Sequence, residues 1–260
     1  MLSKSDLLYL REVVLKKVGI DLSFYKETQL QRRLQFIMLR AGANTVEEYA
    51  QLLEENPKVL EDFKNRFAIN VSEFFRNPER FEDLRTKILP EVMNIAGSVL
   101  RIWSAGCSVG SEPYSIAMVL EEMTPKRLYQ IWATDIDDDA LEKAKIGIYD
   151  EAYFNSMPPI YREKYLEPRN GSYGITPRLK KRITFEKHDL LRDEVRETFE
   201  LVVCRNVVIY FEEEAKKIAF SKMSRALKTG GYLWIGSTER IPDPSSFGLR
   251  YVLPFFYQKA

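Results

Sequence analysis

The feature that most constrains this chain is a change of hydrophobic period near Val99. Upstream, apolar residues recur at helical spacing. Leu7, Leu8, Leu10, Val14, Leu15 and Val18 form a stripe ended by Gly19, and Leu30, Leu34, Ile37, Met38 and Ala41 form a second ended by Gly42. Thr45-Val46-Glu47-Glu48 carries a capping hydroxyl followed by acidic residues in the first turn, and a further helix is expected from Pro57 to about Phe67. Downstream, strands are expected over 99–105, 129–134, 183–186, 201–204 and 232–236, and helices over 111–123, 138–145 and 213–227. Strands that read as continuous apolar runs are covered on both faces, so this alternation predicts an α/β fold with a mostly parallel sheet between layers of helices. The last run, 250–258, reads as a strand that pairs with a run near Ile241 if a hairpin forms.

One stretch breaks the alternation. Between Gly147 and Arg182 stand Pro158, Pro159, Pro168, Gly171, Gly174 and Pro177, and the segment is too long for a plain connection. It is expected to be a small inserted subdomain, a helix plus an antiparallel hairpin around Asn170-Gly171. The domain plan is therefore a helical domain over 1–85 and a sheet domain over 86–260, with the insertion at about 147–182.

Charge and composition remove several kinds of chemistry. Lys and Arg number 39 against 38 Asp and Glu, a net charge of +1, whereas a general nucleic-acid binder carries a basic excess. Two cysteines, Cys107 and Cys204, cannot build a disulfide framework or a four-cysteine zinc site. A single histidine, His188, argues against a histidine-rich metal centre and against a Ser-His-Asp apparatus. No window approaches the roughly 18 unbroken apolar residues of a membrane span. The start, Met1-Leu2-Ser3-Lys4-Ser5-Asp6, runs into charged helical sequence and not a signal peptide, so the expectation is a cytoplasmic chain that is not membrane-inserted.

Ligands of open parallel sheets collect at the carboxyl ends of the strands. There the strand ending at Ala105 runs into Gly106-Cys107-Ser108-Val109-Gly110-Ser111-Glu112-Pro113, a glycine turn that lets backbone approach a ligand. It is neither the G-x-G-x-x-G of dinucleotide sites nor a P-loop, which needs Gly-Lys-Ser/Thr. The next strand ends at Thr134-Asp135-Ile136-Asp137; Asp137 and Asp138 can cap the following helix, which leaves Asp135 to accept the hydroxyls of a ribose. Together these point to a nucleoside-type ligand, with nicotinamide cofactors and S-adenosylmethionine both open. The fourth strand ends at Cys204-Arg205-Asn206, a polar pair that is costly to bury unpartnered and so reads as a ligand or substrate contact.

Five segments, in this order, resemble the chemotaxis receptor methyltransferases, the CheR family. They are Asn70-Val71-Ser72-Glu73-Phe74-Phe75-Arg76; Ile102-Trp103-Ser104-Ala105-Gly106-Cys107-Ser108 through Glu112-Pro113-Tyr114-Ser115; Ala133-Thr134-Asp135-Ile136-Asp137; Cys204-Arg205-Asn206 through Tyr210-Phe211; and Gly236-Ser237-Thr238-Glu239. The resemblance implies a seven-stranded class I S-adenosylmethionine-dependent methyltransferase sheet, an N-terminal helical domain and an inserted β-subdomain. It implies methyl transfer to glutamate side chains of chemoreceptors, leaving S-adenosylhomocysteine. By motif, it places the cofactor among Asn70, Ser72, Arg76, Gly106, Glu112, Asp135, Asp189, Leu190, Arg205 and Asn206. Ser72 stands where Thr is common, and Asp189 where Asn is common. The implied partners are the cytoplasmic helices of chemoreceptors and, as in some members, a receptor C-terminal peptide on the inserted subdomain.

Such a transfer has modest chemical needs. A glutamate with a reference pKa of about 4.3 is already ionised near neutrality, so no general base is required. Sulfonium and carboxylate charges cancel as the bond forms, which favours a dry pocket, and orientation can supply about 7–11 kcal/mol of the barrier. Tyr210 and Phe211 are expected to shape that pocket, with Arg205 or Arg76 guiding charged groups; Arg205 and Tyr210 are thus the catalytic candidates, acting by positioning. Arg32 and Arg33 are expected to face an acidic receptor helix, arginine's fork being suited to carboxylates. Two other readings stand beside this one. Nucleic-acid methylation is opposed by the near-zero charge and by Arg205-Asn206-Val207-Val208 standing where such enzymes carry Asn/Asp-Pro-Pro-aromatic. A non-enzymatic S-adenosylmethionine-binding adaptor is opposed by the intact Asp135, Glu112 and Arg205-Asn206.

Overall fold

A computed structural model describes residues 2–67, 72–124 and 126–260. The chain divides into two compact units, Met1–Asn70 with Tyr210–Lys217, and Val71–Ile209 with Ile218–Ala260.

The first unit holds α1 (Lys4–Val18), α2 (Glu27–Arg40), α3 (Val46–Glu55) and α4 (Pro57–Phe67). Reciprocal bonds between Ser3 and Asp6 close the start of α1, and Thr45 with Glu48 does the same for α3, so orphan amides at both N-termini are satisfied. Gly19, at φ 81°, ends α1 in the left-handed conformation. The expected stripes face inward in part: Leu7, Leu10 and Val14 on α1, and Leu30, Leu34, Ile37 and Met38 on α2, are buried, whereas Leu8 and Leu15 are exposed and Val18 and Ala41 lie at the margin. A late segment of the chain joins this unit. Lys26 N–H donates to the Tyr210 carbonyl (3.0 Å), Glu212 N–H donates to the Phe24 carbonyl (2.8 Å), and Tyr25 and Phe211 form an antiparallel bridge.

The second unit opens with α5 (Pro78–Asp83), a π-helical turn over Leu84–Ile88, and α6 (Leu89–Ile95). Position 85 thus lies inside one helical stretch, whose Phe81, Leu84, Ile88, Leu89 and Val92 belong to the core beneath the sheet. The alternating part follows as β1 (Val99–Ala105), α7 (Ser111–Met123), β2 (Leu128–Asp135), α8 (Asp138–Ile146), β3 (Ile148–Tyr149), α9 (Pro159–Tyr165), β4 (Leu166–Arg169), β5 (Ser172–Ile175) and α10 (Pro177–Lys180). After these come β6 (Ile183–Lys187), β7 (Phe199–Cys204), α11 (Glu213–Ala226), β8 (Leu227–Ile235), β9 (Leu249–Leu253) and β10 (Phe256–Lys259).

Seven strands form one sheet in the order β6-β2-β1-β7-β8-β10-β9. The first five run parallel, with Ile102 of β1 level with Ile131 on one side and Leu201 on the other, and β10 runs antiparallel to both β8 and β9. Every residue of β7 is buried, as a central strand covered on both faces requires. The chain moves outward from β1 to β2 and β6, then returns to the far side of β1 as β7. Loops leaving β1 and β7 therefore diverge, which opens a crevice at their carboxyl ends.

Two expectations are corrected. Strand β8 begins at Leu227, directly after the helix and not at 232, and contains Gly230 and Gly231; a register shift against β7 accommodates them. The terminal run folds back on itself, β9 to β10, turning at Pro254-Phe255 with Phe255 at φ 72°, and does not pair near Ile241. In the inserted segment, β3, β5 and β4 make an antiparallel sheet. Its β4–β5 turn is Asn170-Gly171, at φ 43° and 85°, the positive pair a tight hairpin demands.

Phe74 and Phe75 tie the segment before α5 into this core. The Phe74 ring lies 5.0 Å from both Tyr149 and Phe154, and Phe75 stacks 4.5 Å from Tyr161. Truncation by Phe74→Ala is expected to cost about 3–5 kcal/mol, read as a fall in the urea midpoint of the full chain.

Candidate active site

Two loops line the crevice. At the exit of β1, the N–H groups of Gly106 and Cys107 both donate to the Thr134 carbonyl (2.8 and 2.9 Å), and Gly106, Ser108 and Gly110 all have positive φ. A Cβ on Gly106 would come within 2.4 Å of Val207 Cγ2, so glycine is what lets the β1 exit lie against the β7 exit. Among the described residues six non-glycines have positive φ, and four of them, Phe75, Asn77, Ser108 and Asn206, lie in the segments of this site. Such conformations cost about 1–3 kcal/mol each and persist where surrounding bonds over-determine them.

Carboxylates supply those bonds. Asp135 Oδ2 accepts from Ser108 N–H (2.7 Å) and Oδ1 from Asp137 N–H (3.0 Å). Asp137 in turn caps α8 through Asp139 N–H and Ala140 N–H (3.0 and 3.1 Å), as expected. Asp135 is thus not idle, although each oxygen keeps a further lone pair for a ligand hydroxyl. Burial pushes its pKa up to about 6, and the backbone bonds offset only part of that rise.

Glu112, in the first turn of α7, accepts from Ser104 Oγ (2.9 Å) and faces Arg205 at 3.4 Å. Arg205 is no exposed guide: its side chain is 3% accessible, and it donates to the Arg76 carbonyl (2.8 Å) and Asn77 Oδ1 (3.0 Å). Its guanidinium lies 4.4 Å over the Trp234 ring, and its Nε has no partner. Burial raises the Glu112 pKa, against which Arg205 pulls, and burial lowers that of Arg205, against which Glu112 pulls.

At the exit of β7, one side chain that the reading by residue type passed over gathers the backbone. Glu239 Oε2 accepts from Gly236 N–H (2.6 Å) and Asn206 N–H (3.0 Å), and Oε1 from Val207 N–H (3.0 Å) and Ile209 N–H (3.3 Å). The signal available was the Gly236-Ser237-Thr238-Glu239 motif; the donors to Glu239 are backbone N–H groups and carry no sequence mark.

The remaining candidates are distributed as follows. Ser72 Oγ accepts from Ser111 Oγ (3.0 Å) at the start of α7. Asp189 turns its Oδ1 to its own loop, accepting from Leu191 and Arg192 N–H (2.8 and 3.3 Å), while Leu190 is buried. Both follow His188, whose N–H donates to the Asp135 carbonyl (3.0 Å) and whose ring sits edge-on to Trp103 and Trp132. Burial lowers the His188 pKa. Arg32, Arg33 and Tyr210 belong to the helical unit; Arg32 is exposed, whereas Arg33 is half-buried with its guanidinium 5.9 Å from the Phe67 ring centre. Asn70 lies outside the described residues. Among the described residues there is no His/Cys/Asp/Glu group placed to hold a metal ion, and no helix is long and apolar enough to cross a membrane.

Comparison with known proteins decides the family. The family model described as "CheR methyltransferase, SAM binding domain" matches residues 70–251, and "CheR methyltransferase, all-alpha domain" matches residues 5–68. The chain belongs to the CheR methyltransferase family. A chemotaxis protein methyltransferase of Listeria monocytogenes is 39% identical to this CheR-family chain over 256 residues, covering 98% of each. One from Borreliella burgdorferi is 34% identical, covering 99% of this chain and 95% of the relative. This CheR-family chain is an S-adenosylmethionine-dependent methyltransferase. Its donor set fits that cofactor: Asp135 offers lone pairs suited to a ribose diol, Glu112 offers negative charge suited to a cationic ligand, and both are backed by bonds already made.

The pKa of Asp135 gives a pH dependence. Below pH 6 the protonated acid loses an acceptor that ribose hydroxyls would use, so affinity for S-adenosylhomocysteine should fall as pH drops through about 6 and level off above 7. Calorimetry between pH 5 and 8 measures this; a flat profile would remove Asp135 from the binding site.

Proposed function

We propose that this chain transfers methyl groups from S-adenosylmethionine to glutamate side-chain carboxylates of cytoplasmic chemoreceptor helices, forming methyl esters. One observation carries the reading: both domains of the CheR family match in order over nearly the whole chain, around a crevice whose ionisable groups are carboxylates and arginines. When bound, the cofactor supplies an electrophilic methyl group on a sulfonium.

The roles then divide among the chain's own groups. Asn70, Ser72, Arg76, Gly106, Glu112, Asp135, Asp189, Leu190, Arg205 and Asn206 hold the cofactor. Asp135 takes the ribose, and Glu112 faces the cationic end. Arg205 acts by positioning, since its two terminal nitrogens are engaged by Glu112, Asn77 and the Arg76 carbonyl. Tyr210 shapes the path of the methyl group. No residue needs to remove a proton, which agrees with a chain that has a single histidine. Arg32 docks the acidic partner and Arg33 supports it from the half-buried side of α2. The β3-β5-β4 sheet is the place for a receptor C-terminal peptide.

Incubation with labelled methyl donor and receptor cytoplasmic fragments should give base-labile methyl esters. Label in nucleic acid, or none in any receptor fragment, would defeat the proposal in favour of the nucleic-acid or adaptor readings. The docking role has its own check. Arg32→Glu should raise the receptor KM by about tenfold, equivalent to about 1.4 kcal/mol, with affinity for S-adenosylhomocysteine unchanged; an unchanged KM would count against it.

A further inference from the structure

We propose that Glu239 is a positioning residue for cofactor binding, fixing the turn after β7 in the conformation in which Asn206 meets the cofactor. This rests on the reading of Asn206 as a cofactor contact and deepens it. Three amides of one turn, those of Asn206, Val207 and Ile209, point to a single carboxylate, with a fourth from Gly236 at the end of β8. Successive N–H groups converging in this way make a concavity that favours an anion. Here the chain fills it with its own side chain, only 6% accessible, so the concavity serves as an internal anchor.

The geometry requires such an anchor. Asn206 sits at φ 61°, in the left-handed region that asparagine tolerates better than other non-glycine residues, and the bond from its N–H to Glu239 holds it there. Bonds to a charged acceptor are shorter and stronger than neutral ones, and four of them on two oxygens leave the turn one arrangement. Gly236 lets the two strand ends close: a Cβ there would lie 2.7 Å from both Asn206 N and Glu239 Oε2. The anchored turn also carries Val207, whose Cγ2 occupies the space a Gly106 side chain would need. Glu239 therefore sets the β7 exit directly and, through Val207, the wall formed by the β1 exit. It touches neither reacting group, since its oxygens are engaged by backbone amides.

Glu239→Gln preserves shape and one acceptor oxygen but turns an amide NH2 toward backbone donors. In the full chain it should raise the Kd for S-adenosylhomocysteine at least tenfold, while the receptor KM at saturating cofactor stays within twofold. Asn206→Gly, which suits the positive φ and removes the side chain, should also raise Kd, and the double variant should be no weaker than the weaker single one. An E239Q Kd within twofold of the parent, beside a raised Kd for N206G, overturns the role of Glu239 alone. An unchanged Kd for N206G overturns the assignment of Asn206 instead. Should E239Q fail to fold, hydrogen exchange in the parent protein decides. The amides of Asn206, Val207 and Ile209 should be protected equally with and without S-adenosylhomocysteine, and free exchange in its absence sinks the anchor.

Discussion

Where parallel strands end, backbone N–H groups run out of ladder partners, and in this chain buried carboxylates take them up. Asp135 holds Ser108 and Asp137, Asp137 holds the first turn of α8, and Glu239 holds the turn after β7 to the end of β8. Each side of the crevice is thereby tied to its neighbour by the chain's own bonds. Burial of these acids is unfavourable, as the raised pKa values of Asp135 and Glu239 record, and charge-assisted bonds to the backbone offset part of it. What the fold gains is a rim whose residues of positive φ are held by charge-assisted bonds.

The same economy explains the buried Arg205. A guanidinium withdrawn from water needs a charge and several acceptors, and Glu112, Asn77 and the Arg76 carbonyl provide them across three separate segments. It joins the strand end of β7 to the segment before α5 and to the first turn of α7. An arginine so occupied ties three segments of the crevice together.

Much of this was legible in the residues. The bounds of β1 and α7 fall where a continuous apolar run and a glycine turn set them, and Asp137 caps α8 as an acid one residue before a helix should. The start of β8 was hidden because Leu227 continues the helical stripe and Gly230-Gly231 mimics a helix stop, while the register against β7 that makes it a strand is a tertiary fact. Arg205-Asn206 announced itself as a polar pair too costly to bury alone, but the identity of its partners, more than ninety residues away for Glu112, depends on topology. Glu239 was least legible of all, its partners being amides that every residue possesses.

The helical unit shows why adjacent arginines need not share a task. Successive residues of a helix point about 100° apart, so Arg32 on α2 is exposed beside Phe36, Leu39 and Arg40 while Arg33 turns inward over Phe67. Burial lowers the Arg33 pKa, and the nearby phenols of Tyr210 and Tyr25 act in the opposite direction. Tyr25 packs edge-on against both Phe67 and Phe211, and backbone bonds from Lys26 to Tyr210 and from Glu212 to Phe24 hold the returning segment. Tyr210 thus takes its bonding partners from the helical unit although Asn206, four residues earlier, belongs to the sheet unit. A transfer that needs no general base must draw its rate from how groups are held, and a residue held in this way cannot keep its place when the helices are removed. The all-α part is for that reason a structural contributor to the placement of Tyr210.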